Sequence, residues 1–500
     1  MPSSISVAPS GAASSSVTLC TTASGWRRCC WTRRPESFAV AKGGGLKRGG
    51  FSRSLSVSLA GLRAGGAFAL DGALQRLRGG EGQALDSAFA RREARRFVTE
   101  LGRLKGSYVK IGQMMALLGE HFLPPALTEA LHSLEASTEA LPWTEIEPLL
   151  QAQLGPRLDE LEVEHRALAA ASIAQVHRAT VRDSGEQIVL KVQYPGLAEV
   201  IDEDFDTVVR MLLLARWVQA GRELDEWLQD LREQLHSEVD YVREASMLER
   251  FGERVHEANA SGQRSVRYRI PRLLPAYCSG QVLAMEYLAG YRAGRAEVAR
   301  LSQARRNALG EAMLELFFLE VYQWGELQTD PNFGNYLIAT GRGGDELVLL
   351  DFGSVLAPDD DFLLHLGNAI SAGMARDREA LTESLVGLGC LREDSSDVAR
   401  DTFAEFCCQL LEPLEDPALL PPQYLNRRGE YRWGHSALLR RVGRQAAGSA
   451  ATRHFSAPGG DFALIARKLT GVFTFIAVLG AEFNGHDLAH RYIDDWLARE

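Results

Sequence analysis

Apolar positions along this chain recur with a helical period in some stretches and alternate in others, and the changes of period locate the elements. From Asp86 to Leu118, Phe89, Phe97, Val98, Leu101, Leu104, Tyr108, Ile111 and Met115 recur mostly at steps of three and four, with Arg and Glu on the other face. That pattern predicts amphipathic helix. Gly102, Gly106, Gly112 and Gly119 interrupt it, so two helices, or one with a break, are expected. Gly106 and Gly112 leave room for close backbone approach. Prolines 124, 125, 142, 148 and 156 punctuate a helical linker over residues 121–160, where Thr144 and Glu147 read as a capping box. At Leu168 the period changes to two. Ala169-Ala170-Ala171-Ser172 precedes an alternating run from Ile173 to Ala179, then Asp183-Ser-Gly185, then Gln187-Ile-Val-Leu-Lys191-Val-Gln193. This predicts a β-hairpin with a small-residue loop ahead of its first strand.

Ile201 to Leu235 reads as helices, and His236 to Ala245 as a further charged helical stretch. On one helix Glu238 and Glu244, six residues apart, are offset by about 240° and serve partners on two sides. Gln281 to Leu288 is an apolar strand ending in Glu286 and a glycine turn. Leu301 to Trp324 is a long helix with an apolar face of Leu309, Met313, Leu316, Phe317, Leu319 and Val321. Tyr336-Leu-Ile338 and Leu347 to Leu350, joined through Gly341-Arg-Gly-Gly-Asp345, form a second hairpin. Helices follow from Asp359 to Leu410, then a proline-rich excursion from Pro417 to Trp433, then helices to the end. The basic residues Arg440, Arg441, Arg444, Arg453 and Lys468 are scattered there and read as a solvated face.

Composition narrows the class. Five hundred residues with 46% apolar content suit two or three domains, or one large bilobal one. A net charge of -10 provides no basic field for nucleic acid or anionic lipid. The seven cysteines show no CxxC spacing, which predicts free thiols in a reducing compartment. No run reaches 18 apolar residues, so no transmembrane span is expected. Residues 1–60 carry eight Lys or Arg against one acid, Glu36. An organelle leader, a flexible tail and sequence upstream of the true start all remain open readings of that segment.

The chemistry concentrates between Leu327 and Val355. Asp330 and Asn335 lie on one side of the second hairpin, and Asp351, followed by Phe352 and Gly353, lies at its exit. A carboxylate near the transferred phosphoryl group, a side-chain amide oxygen and a second carboxylate can together hold Mg²⁺ against the phosphates of ATP. Lys191, within a β-branched strand, must snorkel to solvent or meet an anion. Over a nucleotide it would bind the phosphates, with Glu244 fixing its orientation, the alanine loop or Ser172 above the phosphates, and the backbone from Glu286 to Leu288 against a purine edge.

Seven motifs in this order carry a family resemblance: Lys110-Ile-Gly-Gln113, Ala169-Ala-Ala-Ser172-Ile, Val189-Leu-Lys191-Val-Gln-Tyr-Pro-Gly196, Glu238-Val-Asp240-Tyr-Val-Arg-Glu244-Ala245, Met285-Glu-Tyr-Leu-Ala-Gly290, Gln328-Thr-Asp330-Pro-Asn-Phe-Gly-Asn335 and Asp351-Phe-Gly353. The chain resembles the UbiB, or AarF-type, family of atypical protein-kinase-like proteins, which includes the mitochondrial factor needed for coenzyme Q synthesis. The resemblance covers about Asp86 to Leu410, and the helical tail with it. It implies an α+β, bilobal protein-kinase-like fold with extra N-terminal helices over the cleft and a helical C-terminal extension. The corresponding divisions are a flexible or leader-like segment at 1–60, N-terminal helices at 85–160, an N-lobe with a helical insert at 161–288, a C-lobe at 289–410, and a Pro-rich loop with helices at 411–500.

The same resemblance implies roles. Lys191 would bind nucleotide with Glu244 as its helix partner, Asp330 would be the catalytic-loop carboxylate, and Asn335 and Asp351 the magnesium ligands. Ala169, Ala170, Ala171 and Ser172, with Glu286 and Leu288, would surround ATP. Lys110 and Gln113 would cross the usual substrate cleft and meet Glu238 and Asp240. Asp330 is preceded by Gln328-Thr329 rather than His-Arg, and no Ala-Pro-Glu follows Asp351. The extended peptide platform of ordinary kinases is therefore not expected. The implied activity is ATP- and Mg²⁺-dependent, an atypical kinase or ATPase supporting ubiquinone or isoprenoid-lipid synthesis. The alternative is a nucleotide-gated scaffold or lipid-binding regulator. Quinone or isoprenoid lipid, a lipid-biosynthetic complex and peripheral membrane contact are the implied partners. The location is cytoplasmic or peripheral-membrane, or an organelle where residues 1–45 act as a leader. The segment from Leu134 to Pro142 departs from the family's pattern.

Overall fold

The computed structural model describes residues 88–498, apart from 105, 119–122, 132–133, 135–139, 215–216, 219–221, 262–263, 342 and 451–459. The leader-like segment, and most of the stretch between Leu134 and Pro142, lie outside the described residues. Helices α1 (Ala88–Leu104) and α2 (Ser107–Leu118) are separated at Gly106, whose φ of 61° disfavours any side chain. The interrupted period therefore gives two helices. Gly112 meets its neighbour closely, since a Cβ there would stand 2.5 Å from Leu134 Cδ1. After α3 (Pro125–Leu131), α4 (Trp143–Leu154) starts from Pro142 with φ −63° and ψ 150° and no side-chain cap. The capping box expected at Thr144 does not form. The proline ring already fixes the extended entry residue, and the helix begins one position before Thr144.

Five strands and three helices follow: β1 (Leu161–Val163), β2 (Ala169–Ala170), β3 (Ala174–Val181), β4 (Gln187–Gln193), α5 (Leu197–Leu214), α6 (Arg222–Ser237), α7 (Tyr241–Ala260) and β5 (Val266–Arg269), with β6 (Val282–Glu286) completing the lobe. The antiparallel sheet runs β1-β3-β4-β6, and β2 pairs with β3. Alternation along β4 divides its side chains. Ile188, Leu190 and Val192 pack with Ile146 and Leu150 of α4. Val189 and Lys191 point to the opposite face, where Val189 joins Tyr241 and Leu248 of α7. Period two thus aims Lys191 at the cleft rather than at solvent.

The charged stretch around Glu244 is not one continuous helix. α6 stops at Ser237, and Asp240 caps α7, accepting the Val242 and Arg243 N–H groups at 3.1 and 3.0 Å. Glu238 therefore lies in the turn between two helices, which replaces the 240° offset as the reason it and Glu244 serve different partners.

The second half holds α8 (Ala296–Ala299) and α9 (Gln303–Phe318), a π-helical turn at Leu319–Trp324, β7 (Leu327–Gln328), β8 (Tyr336–Gly341), β9 (Gly344–Leu349) and β10 (Val355–Leu356). Helices α10 (Asp360–Met374), α11 (Arg378–Gly387), α12 (Asp397–Leu411), α13 (Leu438–Ala450), α14 (Gly460–Leu479) and α15 (His486–Leu497) complete it. β5 joins the β8–β9 hairpin in parallel, and β7 pairs antiparallel with β10. The apolar face of α9 forms the core with α14 and α15.

Helix α14 is twenty residues long and, by length and composition, apolar enough to cross a membrane. Its Ile465, Leu469, Val472, Phe473, Phe475, Ile476 and Leu479 are nonetheless buried within the chain's own core. The solvated basic face expected here fails at two positions. Lys468 is 1% exposed, and Arg441 holds Glu412 at 2.6 and 2.9 Å. Buried carboxylates on neighbouring elements demand these cations.

The cap gives a stability test. Replacing Asp240 by Ala should cost about 1 kcal/mol in urea unfolding, whereas Asp240→Asn, an equally good cap, should cost little. Equal losses in both variants would show that Asp240 acts through its charge instead.

Candidate active site

Lys191 reaches the cleft from β4, Glu244 from the first turn of α7, and Asp351 from the exit of β9. The Lys191 ammonium donates to Glu244 Oε1 at 2.6 Å and to Asp351 Oδ2 at 3.2 Å. Asp351 Oδ1 accepts the Gly353 N–H at 2.9 Å, which fixes the rotation of the carboxylate. The Tyr241 ring lies 5.3 Å from the ammonium. Burial opposes the charge on Lys191, yet the facing carboxylates, Asp351 first and then Glu244, outweigh it and hold the ammonium protonated well above the ordinary lysine range. Burial also works against the Asp351 charge, but Lys191 and the Gly353 N–H carry its carboxyl below the ordinary range. At Glu244, only 2% exposed, burial dominates over the pull of Lys191 and pushes the carboxyl up to about 7.

The segment that carries Asp330 is tied to the same place by backbone. β7 pairs with β10, and beyond it Thr329 donates its N–H to Ser354 O at 3.0 Å while the two hydroxyls lie 2.7 Å apart. Thus Asp330 and Asp351 are brought together although twenty-one positions separate them in the sequence. Asn332 accepts the Gly334 N–H at 2.8 Å, closing the turn that returns Asn335 toward Asp330. The Asn335 amide donates to Asp330 Oδ2 at 2.8 Å, which leaves its amide oxygen free of that bond. Asn335 and Asp351 line one narrow crevice with Glu320, Gln328, Tyr336, Leu349 and Phe352. One amide oxygen and one carboxylate are hard donors of the kind Mg²⁺ accepts, with phosphate oxygens and water completing its shell. Among the described residues no cluster of three or more His, Cys, Asp or Glu side chains forms a cage. The donor set fits a metal shared with a phosphate ligand.

The alanine stretch is a hairpin rather than an open loop. Ala169 and Ala170 pair with Val176 and Gln175, and the Ala171 N–H is spent on Ala174 O at 2.8 Å. Ala171 therefore has no N–H to offer phosphates. The Glu286 carboxylate is likewise spent, accepting from Arg269 at 2.7 Å and from the Arg272 N–H at 3.3 Å. The Glu286 N–H also donates to Arg272 O at 2.8 Å and that of Tyr287 to Gln187 O at 3.1 Å, so an N–H for a purine edge would come from half-buried Leu288.

Lys110 of α2 donates to Glu238, as expected, and joins the N-terminal helices to the turn that leads to Glu244. Gln113 instead donates to Leu134 O at 3.0 Å, and Asp240 is a cap, so neither meets a cleft residue.

Sequence reasoning did not find the pairing of Arg467, Lys468 and Glu320 with this part of the molecule. Arg467 of α14 lies 3.1 Å from Asp330 Oδ1. Lys468 reaches Glu320 Oε2 at 3.1 Å, Gln328 Oε1 at 2.9 Å and the Tyr336 hydroxyl at 2.9 Å. The available signal was an acid inside one apolar helix and a Lys inside another, since such residues are rarely buried unless paired.

The fold and this ionic arrangement define a protein-kinase-like, bilobal α+β domain. Residues 133–385 match the ABC1 atypical kinase-like domain. The chain is 28% identical over 445 residues to the Schizosaccharomyces pombe mitochondrial atypical kinase COQ8, spanning 88% of this chain and 67% of the relative. It is 30% identical over 323 residues to the Saccharomyces cerevisiae COQ8, spanning 64% and 62%, and 28% identical over 414 residues to the rat mitochondrial atypical kinase COQ8B, spanning 81% and 73%. A solved structure of Mycobacterium tuberculosis Rv3197, determined in complex with erythromycin, superposes with a TM-score of 0.54 at 22% identity, over 80% of this chain and 96% of that one, and shares the fold. The chain belongs to the UbiB/AarF family of atypical kinase-like proteins.

The raised Glu244 carboxyl has a defined pH sign. Its neutral form favours the fold fully below 4.5, the ordinary value, and that contribution is lost as pH rises through about 7. Measured from about pH 5 to 8, the melting temperature of Glu244→Gln should therefore gain steadily on that of the unaltered chain. A gap that stays constant with pH would contradict the raised value.

Proposed function

We propose that this chain is an ATP- and Mg²⁺-dependent atypical kinase or ATPase of the UbiB type, acting in support of ubiquinone or related isoprenoid-lipid synthesis. The observation that carries the reading is Lys191 held between Glu244 at 2.6 Å and Asp351 at 3.2 Å. A lysine pinned by a helix carboxylate, beside a carboxylate suited to metal, is arranged to receive the phosphates of a nucleotide. Asn335 and Asp351 would hold Mg²⁺, which neutralises charge on the phosphates when bound. Asp330 would accept the proton of the attacking hydroxyl or water. Ser172 would cover the phosphates, and the backbone from Glu286 to Leu288 would receive the purine edge.

Two features favour a small or lipid-associated acceptor over a protein. β10 passes within four residues into α10, which leaves little chain for a peptide platform. The Lys110–Glu238 pair also fastens the N-terminal helices beside the site. The names of the COQ8 relatives support a place in quinone metabolism, with a quinone or isoprenoid lipid and a lipid-biosynthetic complex as partners and a peripheral membrane or organellar location. The Lys110–Glu238 pair also favours a second reading, in which bound nucleotide sets the position of these helices and the output is a partner contact.

ATP turnover of the purified chain, with and without Mg²⁺ and a quinone-like lipid, separates the two. Mg²⁺-dependent turnover that falls on the order of a hundredfold or more in Asp330→Asn and Asp351→Asn is expected. Tight ATP binding without turnover under any lipid condition would establish the gated reading instead.

A further inference from the structure

One face of α14 runs along the loop that carries Asp330. Arg467, Gly471 and Phe475 follow one another at four-residue spacing, and Lys468 lies beside them. Arg467 Nη2 is 3.1 Å from Asp330 Oδ1. A Cβ on Gly471 would stand 2.1 Å from the Pro331 Cβ, so the missing side chain sets how near the helix can lie. Phe475 meets Phe333 and Tyr336 edge-on, with centroids 5.8 and 5.9 Å apart. Lys468 locks the helix in register. Fully buried, it holds Glu320, in the π-helical turn, together with Gln328 and Tyr336, which flank the loop on both sides.

Among the described residues, the Asp330 carboxylate has no orienting partner from its own N-terminal side. Gln328 turns its amide to Lys468, to Tyr336 and to the Asp330 carbonyl, and Thr329 is spent on Ser354. Oδ2 is held by Asn335 and Oδ1 by Arg467. Without Arg467, Oδ1 has no partner among the described residues and the carboxylate is held through Oδ2 alone.

We infer that Arg467 is a positioning residue for Asp330, and that α14 is thereby a working part of the phosphoryl-transfer site. This rests on reading Asp330 as the carboxylate beside the transferred phosphoryl group. Arg467 contacts none of Lys191, Glu244 and Asp351, so its loss acts on turnover and leaves nucleotide affinity in place.

The test uses Arg467→Ala and Arg467→Lys in the full chain, with ATP affinity by calorimetry, steady-state turnover, and amide hydrogen exchange. In Arg467→Ala, kcat should fall roughly ten- to a hundredfold. The Kd for ATP should stay within about twofold, and Arg467→Lys should recover much of the loss. Exchange should quicken across Asp330 to Asn335 and not across β4. Turnover equal to or above that of the unaltered chain, or a parallel loss of ATP affinity, would overturn the inference. If the unaltered chain and Asp330→Asn turn over ATP alike, the proposed function falls but the inference is still decided by exchange. Unchanged exchange over Asp330 to Asn335 in Arg467→Ala then refutes positioning, and a local rise reversed by Lys supports it.

Discussion

A single ammonium group holds the two lobes of the site in relation. Lys191 comes from the N-lobe sheet, Glu244 from the helix behind it and Asp351 from the C-lobe hairpin, and one Nζ bonds both carboxylates. Buried charges are tolerated only when paired, and removing one partner strands the others. The triad therefore commits the sheet, α7 and the β8–β9 hairpin to one arrangement. The register of β4, with Ile188, Leu190 and Val192 on α4 and Lys191 opposite, is what makes that commitment possible.

A second buried pair performs the same service for the loop that carries Asp330. Glu320 and Lys468 are both essentially inaccessible, and Glu320 leads the groups that hold the Lys468 ammonium above the ordinary lysine range despite burial. Glu320 lies immediately after α9 and Lys468 within α14, so the pair links the approach to the loop with the C-terminal extension. The extension is thus part of the same core as the site, and its apolar length serves packing against α9.

Much of this was legible in the sequence because local period and side-chain chemistry agreed. Period two gave the hairpin and its lysine, glycines gave the break between α1 and α2, and the motif order gave Lys191, Glu244, Asp330, Asn335 and Asp351. Where reading failed, a competing local interaction decided the outcome. Asp240 captured two backbone N–H groups and split one expected helix into two. Ala169 and Ala170 paired as strand instead of staying in an open loop. Pro142 took over the start of α4 from Thr144. Lys468 was read as solvated and Arg467 was passed over because their partners lie more than a hundred positions away, and no local pattern encodes such a pairing.

The proposed function requires the Lys191 cluster to receive a magnesium nucleotide. The most direct measurement is the equilibrium affinity for ATP, with Mg²⁺ and with the metal chelated, for the unaltered chain, Lys191→Met and Asn335→Ala. ATP binding should weaken when metal is removed, lose that metal dependence in Asn335→Ala, and be lost in Lys191→Met. Binding that is indifferent to metal and survives loss of the Lys191 ammonium would contradict it.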